Sequence, residues 1–211
     1  MKFFISIFFF STFLFSFGQK NDIYVNEDLE VISKEEFNKN HFTEGYLYLK
    51  YETEIDSVFA NINVQREKKG KISSDLLDSI KLSLSTEVNY FSENEFIVIN
   101  YYPGKDACNS FGKRDMTIDR YRDYLRKIRK NKKAKQFFVC KSSEGTERYL
   151  KTSWIKDKDS IIEKAFFPLH YPCGSFVLID SIGNYYSYKS EYNMDSIFKL
   201  LKDENTFINT D

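Results

Sequence analysis

The sequence predicts an α/β domain built on a central mixed β-sheet flanked by helices, with a smaller hairpin-and-helix extension in front of it. Three observations predict this. From residue 96 onward, short continuous apolar runs alternate with stripes at helical spacing, giving strand, helix, strand, helix, strand, strand, helix. The runs are β-branched and aromatic throughout, as expected of strands covered on both faces. Only a tight turn at Gly183 separates the last two strands, so that pair is antiparallel, whereas strands joined through helices are parallel or mixed. At 211 residues the chain is long enough for one domain with a real core, and it needs neither a structural metal nor a disulfide framework to fold.

The first eighteen residues stand apart. Eight of the 21 Phe fall there. Met1 and Lys2 precede an uncharged stretch from Phe3 to Phe17, and Ser16 and Gly18 supply small residues where a signal peptidase reads. The stretch is shorter than the roughly 20 residues of a spanning helix. Residues 1–18 are therefore expected to be a removable signal peptide that leaves no stable membrane span, and the mature protein to be periplasmic or secreted, in a compartment where thiols pair and stay paired.

Residues 19–94 read as the extension. Ile23 to Val25 and Leu29 to Ile32, separated by Asn26, Glu27 and Asp28, form a small hairpin. Ser33 with Glu36 is a capping box that opens a helix over Lys34 to Asn40. Tyr46 to Tyr51 and Val58 to Val64 are extended, and Arg66 to Lys71 is a charged loop around Gly70. Ser73 or Ser74 caps a helix with Leu77, Ile80 and Leu84 on one face.

Residues 95–205 read as the core. Phe96 to Asn100 is its first strand, ended by Pro103 and Gly104. Ile118, Tyr121, Leu125 and Ile128 form the stripe of the first helix. Gln136 to Cys140 is the second strand. Asp159 caps a helix carrying Ile162, Ala165 and Phe166, and Ser175 to Ile179 is the third strand. Asn184 to Tyr188 alternates like an edge strand, and Met194, Ile197, Leu200 and Leu201 belong to a closing helix.

Composition excludes some functions. The 31 basic residues equal the 31 acidic ones, which argues against a nucleic-acid partner, since phosphate binding needs a basic surplus. The nine basic residues between Arg120 and Lys135 read as the solvated face and last turns of a helix. Tyr46, Tyr48, Tyr51, Tyr185, Tyr186 and Tyr188 read as cross-strand packing. No phosphate loop, nucleophile elbow or zinc-ligand spacing occurs, and no cofactor is expected.

Two segments carry a family resemblance. FIVINYYPGKDAC, from Phe96 to Cys108, resembles the strand and loop that present the reactive cysteine in exported thiol:disulfide oxidoreductases and peroxiredoxins. GSFVLIDSIGNYY, from Gly174 to Tyr186, is similar to their later strand, Asp-x-x-Gly turn and edge strand. The resemblance covers residues 96 to 202 and implies a thioredoxin-like fold. The Cys-x-x-Cys motif is missing, since Asn109, Ser110 and Phe111 follow Cys108. Pro103 stands five residues ahead of Cys108, and Gly174 occupies the place of the family's cis-proline, with Pro172 two residues earlier.

What the resemblance implies centres on Cys108 and Cys173. In that fold the end of the first strand neighbours the start of the third, so the two would face one another. One reading is a redox pair, of a thiol:disulfide oxidoreductase acting on a protein dithiol or disulfide or of a thiol peroxidase, in which Cys108 attacks and Cys173 resolves, with Lys105, Lys113 and Arg114 favouring the thiolate. The other is a structural disulfide in a non-catalytic binding protein. Pro103, Lys105, His170, Pro172 and Gly174 are the supporting loop residues. His170, three residues before Cys173, invites a metal reading, but the expectation is an ordinary loop histidine and no metal. Cys140, on a central strand, is expected to be buried and inert. The oligomeric state is left open.

Overall fold

The computed structural model describes residues 21–53, 58–85, 91–92, 95–110, 114–146, 153–203 and 205–207; the signal peptide expected over residues 1–18 lies outside them. No helix among the described residues is long and apolar enough to cross a membrane. The chain divides into two compact units, one of Met1–Thr43 with Tyr48–Val64 and one of Glu44–Leu47 with Gln65–Asp211.

The smaller unit is built around a three-stranded sheet. Strand β1 (Asn21–Val25) precedes helix α1 (Lys34–Asn40), and β2 (Tyr46–Glu52) and β3 (Val58–Gln65) follow, in the spatial order β1-β3-β2. Ser33 accepts from the Glu36 N–H at 3.1 Å, as the capping box predicts. The expected hairpin shrinks to one antiparallel bridge, Val25 to Val31. Strand β1 pairs in parallel with β3 along one edge, and at the turn the Asn26 side chain accepts from the Asp28 and Glu30 N–H groups.

The larger unit holds β4 (Glu67–Lys71), α2 (Ser74–Leu84), β5 (Phe96–Tyr102), α3 (Ala107–Ser110), α4 (Arg114–Ile128), β6 (Ala134–Cys140), β7 (Trp154–Lys156), α5 (Ile161–Phe166), β8 (Ser175–Ile179), β9 (Asn184–Tyr188) and α6 (Met194–Leu200). Its six-stranded sheet runs β4-β9-β8-β5-β6-β7. The β5–β6 and β6–β7 pairs are parallel. The β5–β8, β8–β9 and β4–β9 pairs are antiparallel. This is a mixed sheet flanked by helices, as the alternation of patterns predicts.

Three local expectations need correction. Arg66 to Lys71 is not a loop: Glu67–Lys71 pairs along β9 from Glu67↔Tyr188 to Lys71↔Asn184. It is an edge strand, and edge strands carry lysines that discourage further pairing, so they lack the apolar signal of central ones. Gly70 leaves room there for the Tyr185 ring, whose far end would lie 2.9 Å from a Cβ at this position. Both β4 and α2 thus fall in the larger unit, although the sequence places them before residue 95. The short edge strand β7 was likewise not anticipated. Finally, Asp157 rather than Asp159 caps α5, its carboxylate accepting from the Ile162 and Glu163 N–H groups at 3.1 and 2.9 Å. Asp159 lies in the intervening 3-10 turn with φ +56°.

Alternation along β5 gives the sheet two faces. Val98, Phe176, Leu178 and Tyr186 pack with Tyr124 and Ile128 of α4 and with Ile197 and Leu201 near α6. On the opposite face Tyr101 stacks on Phe167, 5.1 Å between ring centroids. There Phe166 of α5 meets Tyr185 edge-on at 5.0 Å. Each fully buried side chain of this size contributes about 2 kcal/mol relative to exposure.

Candidate functional site

The site is assembled where β5 leaves the sheet and β8 begins. Beyond Tyr102 the buried Pro103 and Gly104 turn the chain, and Asp106 starts the single turn of α3. Asp106 and Asn109 form a reciprocal cap. The Asp106 Oδ1 accepts from the Asn109 N–H at 2.8 Å, and the Asn109 Oδ1 accepts from the Asp106 N–H at 3.0 Å. The Asn109 amide also donates to the Gly104 carbonyl at 2.8 Å. This lock holds Cys108 outward, exposed to solvent.

The second half of the site is the loop before β8. Cys173 has φ +71° and Gly174 φ +136°. At Gly174 a Cβ would lie 3.0 Å from the Tyr101 carbonyl oxygen, so the close passage of the loop over β5 needs glycine. Pro172 presents its carbonyl to the Ser190 hydroxyl, which donates at 3.0 Å. The Ser190 N–H donates to the Ser175 Oγ at 3.1 Å.

Cys108 and Cys173, 65 residues apart, are joined by a disulfide with Cα atoms 5.1 Å apart. A single carboxylate organises both sides of it. While the Asp106 Oδ1 caps α3, its Oδ2 accepts from the Cys173 N–H at 3.0 Å. The His170 Nε2 lies 3.3 Å from that same oxygen. His170 therefore faces Asp106; the ligand-type atoms that gather, all within 4.8 Å of one another, are the two sulfurs and a Glu191 carboxylate oxygen.

Of the three cations expected around Cys108, one has a described side chain. Lys105 is turned to Glu144, 3.7 Å away, while Lys113 and the side chain of Arg114 lie outside the described residues. Among the described residues Glu191 places its carboxylate beside the sulfurs, and a neighbouring carboxylate disfavours a thiolate where a lysine would favour it. Cys140 forms no disulfide and is buried. It pairs in register with Tyr102 and packs with Trp154 and Tyr121. Burial pushes its thiol pKa up, which keeps it protonated and unreactive.

A cleft of about 900 Å³ runs from Cys173 and Gly174 between α4 and the β9–α6 connection. Its floor is Asn100, only 2 % exposed, with both side-chain polar atoms hydrogen-bonded. Asn100 Oδ1 accepts from the Tyr124 hydroxyl at 2.9 Å and the Gln136 amide at 3.0 Å, and its Nδ2 donates to the Tyr192 hydroxyl at 2.7 Å. Tyr102, Tyr121, Tyr188, Trp154 and Met194 line the walls together with Arg66 and Arg120.

Sequence reasoning brought Cys108, Cys173, Pro172 and Gly174 to one place and missed Asp106, Asn100, Glu191 and Arg120. Two of these leave a trace in the sequence. Asp106 and Asn109 have capping-box spacing, and Asn100 is a polar residue inside an otherwise apolar and aromatic run.

In its larger unit the chain is thus a mixed α/β protein with a disulfide at the end of a cleft. No family model and no curated protein matches it. Among solved structures, it is similar to a DsbF homologue from Corynebacterium diphtheriae, at 11% identity over 51% of this chain and 70% of that one, with a TM-score of 0.31.

Proposed function

We propose that this is an exported, thioredoxin-like thiol–disulfide protein acting through Cys108 and Cys173. The observation that carries this reading is the asymmetry of the disulfide: Cys108 is exposed, while Cys173 is partly covered and lines a cleft that can receive a substrate. In support, β5 lies between parallel β6 and antiparallel β8 with β9 beyond, the arrangement implied by the family resemblance.

The chemistry follows from that asymmetry. A substrate thiolate attacks the Cys108 sulfur, the Cys108–Cys173 bond breaks, and Cys173 leaves with the electron pair and takes a proton. A second substrate thiolate attacks the substrate sulfur of the mixed disulfide and expels Cys108. The substrate dithiol is oxidised to a disulfide and the protein pair is reduced to two thiols; the reverse direction uses Cys108 as attacker and Cys173 as resolver.

A second reading is favoured by the Asp106 network, which already fixes both loops: the disulfide is a staple in a non-catalytic binding protein. Closing a 65-residue separation, it would then contribute about 4 kcal/mol by constraining the unfolded chain. Titrating the native protein against thioredoxin and glutathione couples decides between them. The redox reading expects the pair to cycle fully without denaturant. A pair that stays oxidised until the protein unfolds would leave only the staple.

A further inference from the structure

Resting on that redox reading, we infer that the cleft beside Cys173 is a docking groove for an extended segment of the partner protein that is both aromatic and acidic, with Arg120 as the residue that selects the acidic side chain. The wall chemistry carries the first half. Tyr, Trp, Met and Arg are the side chains enriched where proteins bind other proteins, because they offer large contact area together with a polar end. The walls of this cleft are drawn from that set: Tyr102, Tyr121, Tyr188, Trp154, Met194 and Arg120. A volume of about 900 Å³ lies at the upper end of the range for small ligands and has room for several side chains of a peptide. The floor contributes mainly shape, since the Asn100 Oδ1 already accepts two hydrogen bonds and its Nδ2 already donates to Tyr192.

The charge balance carries the second half. Two of the three acids on the cleft are already neutralised. Asp123 lies 2.9 Å from Lys127 and also pairs with Arg126, and Asp195 lies 3.1 Å from Lys127. Arg66 lies 6.0 Å from the Tyr188 ring centroid and donates to the Glu191 carbonyl at 3.4 Å. Arg120 has no ion-pair partner among the described residues and stands exposed on the wall of the cleft. The Glu191 carboxylate, at the sulfurs, repels an acidic group at the reacting cysteine itself. The segment that fits therefore places its cysteine at the disulfide and its acidic residue away from it, against Arg120.

Trp154 makes the inference testable, because it is the sole Trp of the chain and lines the cleft, so its emission reports occupancy. The probes are blocked heptapeptides without Trp, carrying Tyr and Phe around a central Ser in place of Cys, with either Asp or Lys toward one end. The expected result is a saturable change in Trp154 emission, with the acidic peptide bound about tenfold more tightly than the basic one. Arg120→Glu should abolish or reverse that preference. Arg122→Glu, at a residue paired with Asp119 on the exposed helix face, should leave it intact.

No saturable change, equal affinity for the two peptides, or a preference that survives Arg120→Glu would overturn the inference. Peptides with Cys in the central position separate the two proposals. If the Ser peptides bind selectively and the Cys peptides exchange no disulfide, the groove stands and the redox reading fails. If the Cys peptides react at equal rates without saturation, the redox reading stands and the groove fails.

Discussion

Strand β5 places a buried polar side chain on each face of the six-stranded sheet, and the two are satisfied differently. Under α4 and α6, β5 contributes Asn100, a polar side chain in the midst of an aromatic cluster, and three partners satisfy it. Under α2 and α5, the same strand contributes Tyr101, whose buried hydroxyl has no hydrogen-bond partner among the described residues. Burial pushes the phenol pKa up on both faces, but only Tyr124 recovers a hydrogen bond in return. The cleft lies on the face with the satisfied network. A satisfied buried network is a means of fixing one geometry, because every member loses a partner if another moves. The position of the cleft floor relative to Cys173 is therefore set by side-chain hydrogen bonds as well as by packing, whereas Tyr101 on the opposite face is held by its packing on Phe167.

The largest effect that would test this contrast comes from Asn100→Ala. It strips the acceptor from the Tyr124 hydroxyl and the Gln136 amide and the donor from Tyr192 at the floor of the cleft. Leaving such groups unpaired costs about 3 kcal/mol. Urea unfolding should show this as a lower midpoint at unchanged slope. A loss below about 1 kcal/mol would mean that the network does not fix this face and that the two faces are equivalent in how they are held.

How much of this was legible in the sequence follows the same division. Strands β5, β6 and β8 announce themselves as apolar runs because they are covered on both sides, and the β8–β9 turn is marked by Gly183. The edge strands β4 and β7 carry no such run: β4 is Glu-Lys-Lys-Gly-Lys, chemistry suited to an open edge and indistinguishable from a loop without its partner β9. The two cysteines that meet were legible through the resemblance, since their neighbourhood follows from strand order. The Asp106 bridge between them was not, because its second oxygen serves a residue 67 positions away. Arg120 was lost among nine basic residues of one stretch. The sequence shows a cationic helix, but which of its cations is neutralised depends on Asp123 and on Asp195 of another element.

A smaller effect probes the face under α5. Burial raises the pKa of the Asp157 carboxyl, and the nearby Glu163 charge adds to this, against the pull of the N–H groups it caps. A carboxyl whose folded pKa lies above its unfolded value of about 4 binds its proton more tightly in the folded state. Its contribution to stability is then fully present below the unfolded pKa and is lost as pH rises through the folded pKa. Asp157→Asn keeps an acceptor oxygen for the cap and removes the titration, so its stability should fall less than that of the wild type across that window. Asp157→Ala should lose the cap as well, at about 1 kcal/mol. Parallel pH profiles for wild type and Asp157→Asn, followed by thermal unfolding, would show that this face does not disfavour charge.

The smallest and most diagnostic change is Tyr101→Phe. At this position the ring contributes its stack on Phe167, and the hydroxyl contributes an unpaired polar atom that was fully hydrated in the unfolded chain. Phe keeps the stack and removes the desolvation cost, so stability should stay level or rise by up to about 1 kcal/mol. The matching change on the other face, Tyr124→Phe, removes a donor to Asn100 and should cost about 1 kcal/mol. The sign difference between two chemically identical substitutions is the sharpest expression of the contrast. A loss at Tyr101 equal to that at Tyr124 would mean that its hydroxyl is paired in solution, for instance by a buried water, and that the face under α2 and α5 is no drier than the one that carries the cleft.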